Sequence, residues 1–170
     1  IGIWFDSKGA LRGSKRDPYE GGIRVPMLVR NPQKIVAGKT NDQVWHFIDV
    51  LPTLAQIADI PYPEEIDGIS LLPALSGNKR DLGERTLYWE FYELDGWRAT
   101  RFGDWKAIQH DMNKDTHAPI ELYNLRDDIG ETTNVADQYP ELVAKAVQIF
   151  QEEHEPSEEY VWGYNEAYDQ

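Results

Sequence analysis

Lys15 lies five residues before Glu20-Gly21-Gly22, in the stretch GSKRDPYEGGIRVPMLVRNP that spans residues 13 to 32. A lysine offers a compact positive charge with three donors, and glycine-rich backbone beside it lets an anion come close. The chemistry to expect from this pattern is capture of a small anion. Glycine pairs also occur in ordinary tight turns, so by spacing alone Lys15 is either an anion ligand or a solvated turn residue. Arg24 can reach back to pair with Glu20 or serve the same anion. The four histidines, His46, His110, His117 and His154, show no HxxxH-like spacing and suit surface or packing roles. Asp127-Asp128-Ile129-Gly130-Glu131 has the composition of a calcium loop but lacks alternating oxygen ligands, and reads as a turn. No GxSxG elbow, Walker loop or dinucleotide fingerprint is present.

Charge is distributed unevenly around this candidate. Through Lys39 the chain carries eight Lys or Arg against three acids, whereas the remainder carries nine against 27. An acidic body with one basic segment disfavours general nucleic-acid binding, which needs a broad positive surface. It favours a local anion site. With 170 residues, 41% of them hydrophobic, the chain can fill one domain or a larger and a smaller lobe. The first residue is Ile1, and Ile3-Trp4-Phe5 reads as the tail of an element already under way, so the chain is expected to be a piece of a longer one. No apolar run approaches the roughly 18 residues of a membrane span. Without cysteine there is no disulfide framework to indicate a redox compartment.

The elements that must position Lys15 follow from periodicity. Residues 1 to 22 hold too many glycines and prolines for a helix and read as an irregular loop. Arg24 to Arg30 is a short apolar run between Gly21-Gly22 and Asn31-Pro32, which predicts a buried strand with Pro26 near its start or at an edge. Trp45, Ile48, Leu51, Leu54, Ile57 and Ala58 recur at helical spacing, with Asp49 as cap, Pro52 in the first turn and Pro61 as the stop. Ser70 to Leu75 reads as one helical turn ended by Gly77-Asn78. Four aromatic-rich segments then follow, 87–92, 97–102, 105–108 and 120–125. Asp95-Gly96 and Gly103-Asp104 lie between them as tight turns, predicting an antiparallel meander. Pro140 opens a helix whose Leu142, Val143, Ala146, Val147 and Phe150 share a face. The acidic, aromatic segment 152–170 reads as an extended arm or a frayed end.

Five collinear phrases carry a resemblance: LRGSKRDPYEGGIRVPMLVRNPQKIVAG, FIDVLPTLAQIADIP, DGISLLPALSG, RATRFGDWKAI and ELYNLRDDIGETTNVAD. Together they resemble the C-terminal part of the arylsulfatase family, in the alkaline-phosphatase-like superfamily, from about residue 9 to about residue 137. The resemblance implies an α/β fold. Residues 1–80 would be the remainder of a large sulfatase domain, 81–155 a small subdomain of antiparallel sheet plus helix, and 156–170 an acidic aromatic tail.

The resemblance also implies hydrolysis of sulfate esters of small molecules or glycans. Formylglycine, made from Cys or Ser, acts as nucleophile, and calcium held by Asp and Asn polarises the sulfate. Clamping developing charge with cations is the physical logic of such transfers. Only one element of that machinery maps here: the lysine of the family's K-x-x-x-Y-E-G-G phrase, a sulfate ligand, matches Lys15. The formylglycine segment, the metal ligands and the catalytic histidines fall outside this chain, in an upstream half of the polypeptide. Asp6 lacks the following Asn of the metal-binding phrase and is not assigned to metal. The chain alone is thus expected to be inactive. Trp97, Trp105 and His110 are candidate contributors to a substrate pocket, and location in the periplasm, the lysosome or outside the cell is implied by the family alone. Two alternatives stand beside this reading: a phosphodiesterase or phosphonate hydrolase of the same superfamily, and a non-catalytic carbohydrate-binding module.

Overall fold

The computed structural model describes residues 8–77 and 85–163. In chain order its elements are α1 (Glu20–Ile23), a 3-10 turn (Phe47–Asp49), α2 (Val50–Ala58) and α3 (Leu72–Leu75), then β1 (Thr86–Phe91), β2 (Trp97–Phe102), β3 (Trp105–His110) and β4 (Ile120–Asn124). A second 3-10 turn (Ala136–Gln138) and α4 (Pro140–Glu152) complete the set. They form two compact units, one of residues 1–25 with 84–170 and one of residues 26–83.

In the first unit β1 to β4 make a purely antiparallel sheet in sequence order. Phe102 pairs with Trp105, so Gly103-Asp104 is a two-residue turn, and Gly103 takes the positive φ of +60° that such turns demand. Between β1 and β2 the connection is longer than a tight turn, because Phe91 pairs with Trp97 and residues 92–96 form a loop. The Asn113 side chain holds that loop by donating to the carbonyls of Tyr92 and Leu94 at 2.8 and 2.9 Å.

Alternation along the strands sends side chains to two different covers. On one face Phe102, Ala107 and Leu122 meet Ala146, Ile149 and Phe150 of α4. On the other, Ala99, Ile108, Tyr123 and Leu125 meet Tyr19 of the N-terminal loop. A sheet buried on both sides explains why the sequence alternates only partly. The predicted meander and the helix opened by Pro140 are both present.

The second unit differs from expectation at two points. The predicted strand Arg24–Arg30 lacks strand pairing, and Val25, Met27, Leu28 and Val29 are exposed, Leu28 at 98%. A strand needs a neighbour to satisfy its backbone, and the described residues offer this segment none. Helix α2 forms at the predicted place with Asp49 at its N-cap position, but the Asp49 side chain bonds none of the helix's own N–H groups. Its buried carboxylate accepts from the backbone N–H of His46 at 2.8 Å and of Ile69 at 3.0 Å, tying a distant loop to the helix start. The helix ends at Ala58, before Pro61, because Asp59 adopts the left-handed φ of +56° that terminates helices. Pro52, Thr53 and Ala55 are its buried residues, whereas Leu51 and Leu54 are exposed.

Candidate functional site

Lys15 occupies a four-residue turn. The N–H of Asp17 donates to the Ser14 carbonyl at 2.9 Å, and Asp17 Oδ2 accepts in return from Ser14 N at 2.7 Å. Arg16, third in the turn, has φ of +80°, the value a type II turn requires there and one that L-residues other than glycine adopt at a cost. Two glycines let the chain close on itself. A Cβ on Gly21 would lie 2.4 Å from the Arg12 carbonyl oxygen, and one on Gly22 would lie 2.2 Å from that of Asp17. The glycine pair that drew attention in the sequence thus serves close backbone approach.

Side chains from the sheet clamp this loop at three places. Lys106 of β3 is fully buried, with Nζ 3.0 Å from Glu20 Oε1 and 2.9 Å from Glu131 Oε1. Glu131 Oε2 accepts from Glu20 N at 2.6 Å, and Arg24 reaches Glu20 Oε2 at 3.4 Å. Burial pushes the Glu131 carboxyl above its ordinary range, against the pull of Lys106. Buried Lys106, with half-exposed Arg24 at the rim, offsets the two carboxylates, the condition under which ions are tolerated inside a fold.

The second clamp is aromatic. Arg12 donates to Tyr123 Oη at 2.8 Å and to the Glu131 carbonyl at 3.0 Å, with its guanidinium 3.9 Å from the Tyr19 ring centre. Both Tyr19 and Tyr123 donate their hydroxyls to Glu121 Oε2, at 2.7 and 2.8 Å. With the Tyr19 proton committed there, His110 Nε2, 3.0 Å from Tyr19 Oη, is left to donate. Burial alone would raise the Glu121 carboxyl, but the His110 ring 3.7 Å away and the hydrogen bonds from Tyr19 and Tyr123 outweigh it and hold the group at about 2. Tyr123 is pushed up to about 12, by burial first and then by its bond to Glu121.

The third clamp is Trp97, whose Nε1 donates to the Arg16 carbonyl at 2.8 Å, while Arg16 Nη2 lies 3.4 Å from Glu93 Oε2. Around these residues opens a cleft of about 590 Å³, with Arg16, Tyr19, Phe91, Glu93, Trp97 and His110 in its lining. Lys15 itself is exposed and makes no hydrogen bond or ion pair among the described residues.

Sequence reasoning brought Lys15, Trp97 and His110 to this region and found the Arg24–Glu20 pair. Trp105 does not line the cleft: its ring packs 4.9 Å from that of Tyr139. Lys106 and Glu121 escaped notice, and Glu131 reads only as part of a turn, because a lone charge inside a strand or turn looks like surface until its distant partner is known. The Asp127–Glu131 turn spends its carboxylates on the protein. Asp128 Oδ2 accepts from the backbone of Thr132 and Thr133 at 2.8 and 2.9 Å, and Glu131 turns inward. Asp6 lies outside the described residues. Among those residues, no group of three His, Asp or Glu side chains could hold a metal ion, and no helix is long and apolar enough to cross a membrane.

Comparison with known proteins gives a consistent picture. The chain is 32% identical over 160 residues to arylsulfatase A of Bos taurus, covering 82% of this chain and 31% of that protein. It therefore spans about a third of the length of this relative. The solved structure of Ps i-CgsB, also determined in complex with k-i-k-neocarrahexaose, is similar with a TM-score of 0.76 at 26% identity, covering 92% of this chain and 34% of that one. The structure of BT4656 with its substrate D-glucosamine-2-N,6-O-disulfate is similar with a TM-score of 0.61 at 25% identity, covering 73% and 26%. Residues 10–155, which contain the Lys15 turn, all three clamps and the whole sheet, match the family described as N-sulphoglucosamine sulphohydrolase, C-terminal, and the chain belongs to that sulfatase family.

Proposed function

We propose that this chain is the C-terminal portion of an enzyme that hydrolyses sulfate esters, and that Lys15 binds the sulfate. The observation that carries the reading is a contrast within one turn. The backbone around Lys15 is fixed by hydrogen bonds and close glycine contacts, yet its ammonium has no protein partner among the described residues. A charged group presented on a held backbone and left unneutralised is suited to an anionic ligand, whose oxygens it can bond without reorganisation.

In this reading Lys15 holds a sulfate oxygen and offsets the negative charge that grows as the S–O bond to the alcohol breaks. Its neighbour Arg16 lines the cleft, so the alcohol part of the ester would extend there, against Trp97 and His110. A sugar fits that lining, since an indole face suits the apolar face of a pyranose and the flanking polar groups suit its hydroxyls. The substrate proposed is a sulfated glycan, in keeping with the carbohydrate ligands of the two solved relatives. Nothing among the described residues fits calcium. By the family resemblance, calcium and the formylglycine nucleophile would be supplied by an upstream part of the polypeptide, and the chain alone would be inactive. Residues 1–80 would complete the larger catalytic domain and 81–155 would be the subdomain that supports it.

The test is Lys15→Ala in the full-length protein, assayed on an aryl sulfate and on a sulfated amino sugar. Loss of one preorganised donor costs about 100- to 1000-fold in turnover, and the melting temperature should not move. Unchanged turnover removes Lys15 from the site. Faster cleavage of an aryl phosphate diester than of the sulfate would instead assign a phosphodiesterase.

A further inference from the structure

We infer that Trp97 is a positioning residue for Lys15, acting through the Arg16 carbonyl; the inference rests on the sulfate-binding reading of Lys15 given above. Trp97 begins β2, 81 residues away from Arg16 in sequence, and its indole N–H donates to that carbonyl at 2.8 Å. The Arg16–Asp17 peptide is consequently held at both ends, with its N–H on the Ser14 carbonyl at 2.9 Å and its C=O on the indole. Fixing that peptide fixes the corner of the turn that carries Lys15.

The corner needs such support because of what occupies it. A φ of +80° is free to glycine and unfavourable to arginine, so the turn is not held in shape by residue preference. Arg16 contributes an exposed ion pair to Glu93 at 3.4 Å, and exposed pairs of this kind hold little. The indole is itself fixed. Its ring stacks on Phe91 at 5.5 Å and 19°, and strand pairing sets Trp97 opposite both Phe91 and His110. Rigidity thus passes from the sheet through one N–H to the turn.

Three variants of the full-length protein test this. Trp97→Phe keeps an aromatic ring and deletes the donor, and should lower kcat/KM on the sulfated substrate about tenfold, since a displaced catalytic contact loses rate steeply. Benzothienylalanine at position 97 replaces the N–H with sulfur in a ring of nearly the same outline, and should do the same even if the phenylalanine variant fails to fold. In a Lys15→Ala background the sulfur replacement should cost nothing more, because it keeps the ring that faces the cleft and its effect passes through Lys15. Adding Arg16→Gly should restore much of the rate, glycine holding the left-handed corner unaided. An equal loss from the sulfur replacement with and without Lys15, or no loss from it at all, overturns the inference. If Lys15→Ala alone has no effect, it is the sulfate-binding reading that falls.

Discussion

The sheet unit and the helical unit are built from similarly apolar sequence but complete themselves to different degrees. In the first, both faces of the sheet are covered by elements of the same chain, and even Lys106 finds two carboxylates. In the second, α2 leaves Leu51 and Leu54 more than half exposed, and Met27, Leu28 and Val29 lie open. Periodicity states which residues seek burial; whether they obtain it depends on which partners the chain supplies. The helical unit reads as half of an interface, and the sheet unit as a finished one.

Removing the buried cation should break that contrast most severely. Lys106→Ala leaves Glu20 and Glu131 facing each other inside the fold and should cost about 3–5 kcal/mol, read as a drop in the urea midpoint. Replacing the whole ion group with apolar residues of similar volume should be far milder. An alanine variant as stable as the parent would mean that the clamp does not hold the loop.

A pH titration sharpens the comparison next. Glu121 is held near 2 in the fold against 4.5 when unperturbed, so its stabilisation is complete above pH 4.5 and fades as pH falls towards 2. The amount at stake is up to about 3 kcal/mol. Raised by burial, Glu131 works in the opposite sense and recovers stability over the acid range. Glu121→Gln should therefore flatten or invert the acid limb of the stability curve; an unchanged limb would show that the tyrosine bonds and the nearby histidine carry no such weight.

The smallest effect belongs to the open helix. In this 170-residue chain, Leu54→Ser should alter stability by less than about 0.5 kcal/mol, as exposed substitutions do. In the full-length protein the same change should cost more, if the upstream part covers this face. Equal effects in both settings would end the description of α2 as half of an interface.

What the sequence revealed and what it concealed divide along the same line. The meander and α4 were legible because hairpin turns, Pro140 and amphipathic spacing are local signals, read without reference to anything distant. The strand at Arg24–Arg30 was misjudged because an apolar run carries no record of its neighbour. Asp49 looks like a helix cap until Ile69 arrives to share its carboxylate. At the site, Lys15 and the glycine pair stood out by composition. Its supports were hidden, since the partners of Glu20, Tyr19 and Arg16 lie 81 to 111 residues further on.

Those separations bear on the order in which the molecule assembles. Each hairpin of the sheet closes a short stretch of chain, whereas joining Glu20 to Glu131 closes 111 residues, at an entropic cost of about 4 kcal/mol before contacts repay it. Local contacts form first in folding, so the sheet should exist before the loop docks on it. Amide protection during refolding should accordingly reach β2 and β3 ahead of Gly21 and Arg24. During synthesis Lys15 leaves the ribosome long before Glu131, and it waits, unfixed, for the last strand and turn to appear. The proposed anion site is in this sense assembled late: a chain that stops short of Glu131 carries Lys15 without the Glu20–Glu131 tie that helps to hold its loop.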